Sequence, residues 1–133
     1  MDPVTLTAAF ETLEDTWSPK TVGAVDDHRL KVARLEGEFV WHAHPDADEL
    51  FWVQDGQLRI ELREEPALTL GPGEFVVIPA GVEHKPVAEA GCDVVLIERA
   101  GTANTGDADA PERTTETDWL DGIQFPARGE GDE

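Results

Sequence analysis

Cysteine is nearly absent from this 133-residue chain: Cys92 is the only one. No disulfide can form within the chain, so a small fold stapled by bridges is excluded. A single thiol in a Gly-Cys-Asp turn reads as a small unreactive residue, and the lack of bridges points to the cytoplasm. Long apolar runs are missing too. No stretch of about eighteen apolar residues occurs, so no spanning helix is expected. The opening MDPVTLTAAFETLED has neither a basic start nor an apolar centre, and so does not read as a signal peptide. Lysine is scarce, with only Lys20, Lys31 and Lys85. Acids dominate: 29 Asp and Glu stand against 10 Lys and Arg, for a net charge of −19. A field of that sign repels nucleic acid and anionic membranes, and neither is an expected partner.

The acids are not gathered in one tail. Asp2, Glu11, Glu14, Asp15, Asp26 and Asp27 precede the central region, and Glu36 through Glu65 lie within it. The distribution fits a halophilic protein, in which salt screens self-repulsion over a few ångströms. An ordinary acidic cytosolic protein is the alternative.

The length suits one domain with a real core. Residues 4–14 place Ala8, Ala9, Phe10 and Leu13 at near-helical spacing, so a short N-terminal helix is possible. Strand-like runs follow at residues 29–35, 38–44, 49–53, 57–62, 67–70, 75–79, 85–88 and 94–98. Short strands between turns at Asp55-Gly56, Gly71-Pro72-Gly73 and Ala90-Gly91 argue a sandwich or barrel. The expected division is an N-terminal segment, 1–28, packing on the barrel or a partner, a barrel at 29–106, and an extension at 107–125. Trp119, Leu120, Ile123 and Phe125 can tack that extension onto the barrel. A disordered acidic tail at 126–133 completes the plan.

Three of the four histidines fall in two glycine-bounded blocks, G37-EFVW-H42-A-H44-PDAD-E49-LFWVQD-G56 and G73-EFVVI-P79-A-G81-VE-H84. Residues i and i+2 of a strand share a face, so His42 and His44 point the same way. A turn at Pro45–Asp48 leads to Glu49, and His84 must arrive from another strand. Three imidazoles and one carboxylate suit one divalent Fe, Mn, Ni, Cu or Zn ion. An octahedral ion with four protein donors keeps two positions open, as a catalytic metal requires. The plainer alternative is a set of ordinary strand histidines beside an exposed glutamate.

These two blocks resemble the paired motifs of the cupin superfamily: G, five residues, H-x-H, three or four residues, E, six residues, G; then G, five residues, P-x-G, two residues, H, three residues, N. Gly37 stands four residues before His42 instead of five, and Ala88 takes the place of the closing Asn. Neither position is a ligand. The resemblance spans about residues 29–106 and is strongest to small cupins of the mannose-6-phosphate isomerase-like kind. It implies an all-β double-stranded β-helix, or jelly-roll barrel, with His42, His44, Glu49 and His84 as metal ligands.

Strand parity then assigns the rest. Val40, Phe51, Val53 and either Phe75 or Val77 are expected to line an apolar pocket around the metal, the usual form of a small-molecule site. Phe39, Trp41, Leu50 and Trp52 are expected outside. Such a patch needs cover, either from Leu6, Phe10 and Leu13 or from a second subunit, and a homodimer is expected. Candidate groups near the metal are His28, Arg34, Arg59, Lys85 and Glu98. A metal-dependent dioxygenase or oxidase, a sugar-phosphate isomerase and a non-catalytic ligand-binding or sensing module all remain open. The isomerase needs a basic cluster for its phosphate, and Arg59 and Lys85 alternate away from the site.

Overall fold

The computed structural model describes residues 1–115 and 117–120. A short helix, α1 (Leu6–Glu11), precedes seven strands: β1 (Lys20–Val25), β2 (His28–Glu38), β3 (Glu49–Gly56), β4 (Leu58–Leu62), β5 (Leu68–Leu70), β6 (Phe75–Ile78) and β7 (His84–Arg99). The strand order is β1-β2-β7-β3-β6, with β4 joining β5 to β7. Every pairing among these strands is antiparallel. β7 serves two sheets: residues 84–87 pair with β4, and residues 92–98 pair with β3. Sharing one strand in this way makes the all-β jelly-roll barrel. The runs expected at 85–88 and 94–98 are thus a single strand, passing through Gly91 at φ +89°.

Two local expectations need correction. Residues 20–25 form an additional strand on the edge of β2. Residues 38–44 do not form a strand. Gly37 takes φ +84° beside a register shift between Leu35 and Gly37, and β2 ends at Glu38. Beyond it the chain is tied to β7 by the Phe39 N–H, which donates to the Pro86 carbonyl at 3.0 Å, and by an isolated bridge, His42 to His84.

Register across the strands shows how the two faces divide. The inner face carries the rows Arg29–Glu98–Glu49–Ile78, Lys31–Leu96–Phe51–Val76 and Ala33–Val94–Val53. The barrel interior is therefore charged at one end and apolar at the other. Leu35, Val53, Leu58, Ile60, Leu70 and Val94 are among the buried residues of the apolar end. Each such side chain stabilises by about 1.5–3 kcal/mol on burial. The outer face carries the rows Leu30–Ile97–Leu50–Val77 and Val32–Val95–Trp52–Phe75.

α1 covers part of that outer face. A six-residue helix is too short to persist alone, and no side chain caps its start. Its hold comes from Ala9, Phe10 and Leu13, buried against Val22, Val32, Val95 and Leu120. Arg34 points outward, where it donates to the carbonyls of Phe10 at 3.0 Å and Leu13 at 3.3 Å. Leu50, Trp52, Phe75 and Val77 lie beyond this cover. Leu50 is half-buried, and Trp52, Phe75 and Val77 are 38%, 61% and 45% exposed. Near the C-terminus, Trp119 bridges Thr21 on the free edge of β1. Ile123, Phe125 and the expected acidic tail at 126–133 lie outside the described residues.

Candidate metal centre

His42 and His44 stand on the irregular segment between β2 and β3, Glu49 opens β3, and His84 opens β7. Backbone bonds hold the two histidine segments together. His42 N–H donates to the His84 carbonyl at 3.0 Å, and His84 N–H donates back to that of His42 at 2.9 Å. The four side chains are all buried, and one potential donor atom from each lies within 4.8 Å of the others.

Ring orientation is set by carbonyls. His42 Nδ1 lies 2.9 Å from the Val40 carbonyl, and His84 Nδ1 lies 3.0 Å from that of Val82. Each carbonyl takes a proton from Nδ1, which leaves the Nε2 lone pair free, the usual arrangement behind a metal-ligating histidine. His44 Nε2 is 3.1 Å from Glu49 Oε1, and His84 Nε2 is 3.4 Å from it. His84 Nε2 is nevertheless fully buried without a hydrogen-bond partner. An orphaned buried nitrogen is costly unless something occupies its lone pair. Burial and then the charge of His84 lower the His42 pKa to about 4, so its ring is neutral at ordinary pH. Burial opposes the Glu49 carboxylate, but the hydrogen bond with His44, helped by the nearness of His84, outweighs it and holds its pKa below the usual range. Neutral imidazoles and an ionised carboxylate are the forms that bind a divalent cation. The donor set fits such an ion.

A second loop clamps the H-x-H segment. Ala43 N–H donates to Asp107 Oδ1 at 2.8 Å, and Asp107 N–H donates to the Ala43 carbonyl at 2.9 Å. Gly106, at φ +54°, lies so close that an added Cβ would overlap the Ala43 carbonyl oxygen and come 3.1 Å from His42 Cδ2.

Beside the four donors is a cavity of about 30 Å³, bounded by His42, Glu49, Phe51, Leu96, Glu98, Asn104 and an apolar rim. That volume holds about two waters. Phe51 meets the His84 ring edge-on, with centroids 5.9 Å apart. The rim includes Phe39, which stacks on Trp17 at 4.8 Å and touches His42 edge-on at 5.6 Å. Trp17 sits at φ 57°, a strained setting for a bulky residue. Its indole N–H donates to the Glu36 carbonyl at 2.8 Å and its backbone N–H to that of Arg34 at 2.9 Å, which hold it there.

The wall differs from the expected one in four places. Val40 is half-buried and absent from the cavity, because the chain leaves the sheet at Gly37 and strict alternation stops. Phe39, expected outside, takes a place in the rim. Phe75 and Val77 face outward, since Phe51 pairs with Val76 and Glu49 with Ile78. Val53 is fully buried in the apolar core below the cavity.

Of the charged groups expected nearby, only Glu98 reaches the cavity. His28 pairs with Asp27, Arg59 with Glu61 and Glu89, and Lys85 with Glu38. Lys31 and Arg29 went unnoticed. Both are buried, and Lys31 Nζ meets Glu98 Oε2 at 2.6 Å. Their spacing with Ala33 and Leu35 carries the signal, since all four share one face of β2. Burial and the charge of Glu49 push the Glu98 carboxyl well above its usual range, against the pull of Lys31.

Comparison with known proteins agrees with this architecture. Residues 29–98, more than half of the chain, match the Cupin_2 family, described as a cupin domain. A curated relative, the uncharacterized protein YdbB of Bacillus subtilis (strain 168), is 37% identical over 65 residues, which are 49% of this chain and 58% of that protein. The chain therefore spans less than two thirds of the curated relative it matches. The crystal structure of a cupin-2 domain containing protein from Shewanella frigidimarina NCIMB 400 superposes with a TM-score of 0.70 at 42% identity, covering 72% of this chain and 93% of that one. DMSP lyase DddQ from Ruegeria pomeroyi DSS-3 is a more distant likeness: TM-score 0.51, 25% identity, 59% of this chain and 41% of that one. With its barrel, its paired histidine blocks and this match, the chain belongs to the Cupin_2 family of cupin domains.

Proposed function

We propose that His42, His44, Glu49 and His84 bind one divalent metal ion, and that the adjoining cavity admits a small oxygen-bearing molecule to its open positions. The observation that carries this reading is His84 Nε2, fully buried, unpartnered, and grouped with three other buried donors. The bound ion supplies Lewis acidity to an oxygen ligand. The chain's own groups do the rest. Val40 and Val82 fix the ring tautomers, Asp107 steadies the H-x-H segment, and Phe39 and Trp17 exclude bulk water from the rim. The cavity restricts the ligand to a few heavy atoms.

Catalysis at such a centre is the first reading, because an open position beside buried polar groups is what a lyase, oxygenase or oxidase needs. A non-catalytic ligand-binding or sensing module is the second. The likeness to a DMSP lyase favours catalysis but names no substrate for this chain. A sugar-phosphate isomerase is disfavoured: Arg59 and Lys85 are engaged by Glu61, Glu89 and Glu38, and offer phosphate no cradle. Protein purified from its native host without chelator should carry about one divalent ion per chain by elemental analysis. His84→Ala should carry none while keeping its far-ultraviolet circular dichroism. A wild-type protein that stays metal-free after addition of Co2+ or Mn2+ would overturn the reading.

We also infer a homodimer formed across the outer face. Leu50, Trp52, Phe75 and Val77 continue the apolar rows that α1 covers elsewhere, and so acidic a surface is a poor place to leave them wet. A two-fold contact would set this patch against its own copy. Sedimentation should give a dimer that Trp52→Lys dissociates; a wild-type monomer at high salt would refute it. The lone buried thiol suits the cytoplasm. Among the described residues, no helix is long and apolar enough to cross a membrane.

A further inference from the structure

Two carboxyl groups, not one, face the candidate centre. Glu98 lies directly across from Glu49 in the β3–β7 register and lines the same cavity as His42 and Phe51. Its oxygens differ. Oε2 is held by Lys31 at 2.6 Å, and both side chains are 2% exposed. Oε1 is buried and no donor reaches it, while the neighbouring Glu49 carboxylate is itself an acceptor.

A buried ion pair is weak evidence of a stability role, since apolar residues of similar volume often stabilise as well or better. A pair that leaves one oxygen unsatisfied is poorer still. The arrangement makes sense if the free oxygen has a partner that arrives with a ligand. Lys31 is suited to fix it. It reaches Glu98 from the neighbouring strand, so it locks the carboxyl plane without entering the cavity.

We propose that Glu98 is a ligand-contacting residue of the metal centre, with Lys31 as its positioning residue. Resting on the metal-binding reading above, this assigns the centre a ligand with two polar ends: one oxygen for the metal and a hydroxyl one or two carbons away for Glu98 Oε1. Those two polar contacts select small hydroxylated carboxylates or hydroxy-carbonyl compounds, and a cavity of about 30 Å³ favours their smallest members. Phe39, Phe51 and Trp17 make the carbon end apolar, and Asn104, which also lines the cavity, has its side-chain amide engaged by the Arg113 carbonyl and the Thr115 N–H.

The test is a comparison of two probes. Co2+-loaded protein is titrated with acetate and with glycolate, followed by the Co2+ absorption bands. The readout is the ratio of the two dissociation constants, so chelation of the metal by the hydroxyl is common to all variants. Two variants remove the contact: Glu98→Met, and Lys31→Met with Glu98→Met, which leaves no lone charge buried. The preference for glycolate is expected to fall about tenfold in both, with Co2+ content unchanged. Glu98→Gln keeps a hydrogen-bonding atom in place and is expected to retain most of the preference. An unchanged ratio in whichever Met variant folds overturns the proposal, as does a Gln variant no better than the Met variants. A wild-type protein that takes up no Co2+ overturns this proposal and the metal-binding reading together.

Discussion

Asp107 lies outside the matched family region yet grips the middle of the H-x-H segment, so its removal tests whether that grip matters. In Asp107→Ala, the buried Ala43 N–H loses an acceptor at 2.8 Å. An unsatisfied buried donor costs about 1–3 kcal/mol. Asp107 itself is exposed, so water can replace part of the lost bond, and about 1–2 kcal/mol is the better figure. For a chain of this size that lowers Tm by roughly 3–7 °C. The effect on metal should be larger in proportion. Groups that orient metal ligands typically change affinity by about 10–100-fold, and Ala43 stands between two of the four donors. The assays are thermal unfolding of metal-free protein and competition with a chelator for Co2+ or Zn2+. Asp107→Asn keeps an acceptor and should recover most of both losses. Gly106→Ala should weaken metal binding through the opposite fault, pressing on Ala43 and His42. Metal affinity within twofold of wild type in Asp107→Ala would refute the argument, whatever happened to Tm.

Phe51→Ala should cost about 3–5 kcal/mol by opening a hole beside His84, and should broaden ligand choice while leaving metal content unchanged; loss of metal from folded protein would show instead that Phe51 props the ligands. Tm should rise from dilute buffer to molar KCl as repulsion among the 29 acids is screened, and a flat profile would count against a halophilic origin. Burial, then Asp93 and Asp55, push the Cys92 thiol up to about 12, so a disulfide reagent at pH 8 should label it only after unfolding. The same shift has a stability consequence. The unfolded thiol ionises above about pH 9 and the folded one does not, so each further pH unit up to about 12 should cost about 1.4 kcal/mol. Stability independent of pH across that window would contradict the burial of Cys92.

The convergence of the four candidate donors is legible because their chemistry is rare and their spacing is local: two histidines two apart, then Glu49 after a turn, and His84 after Pro-Ala-Gly. Phe51 followed from Glu49 by parity, which holds because β3 is regular there. Parity failed where the backbone broke it. Phe39 and Val40 were assigned to the wrong faces because nothing in EFVWHAH shows that Gly37 ends the strand. For Phe75 and Val77 the fault was different: FVVI is apolar on both faces, and only pairing with β3 decides which face is inside. Lys31 and Arg29 were overlooked because charged residues are normally exposed, although alternation with Ala33 and Leu35 placed them inside. β1 is hidden by Gly23, which interrupts its alternation at a register shift.

The double duty of β7 has a consequence for the order of assembly. Its first residue, His84, completes the donor set, while its far half docks between β2 and β3, where Val95 meets Val32 some sixty residues back along the chain. Contacts of such long sequence separation form late and slowly. Glu49 and His84 come together only once this strand is in place, so a metal at the proposed centre is not expected to template the nucleus as it does in a zinc finger. Refolding rate should be indifferent to Co2+, and metal uptake should follow as a separate, later step. An ion bound at the proposed centre would act on the other limb of the kinetics: by tying β7 to β3 and to the H-x-H segment, it should slow unfolding.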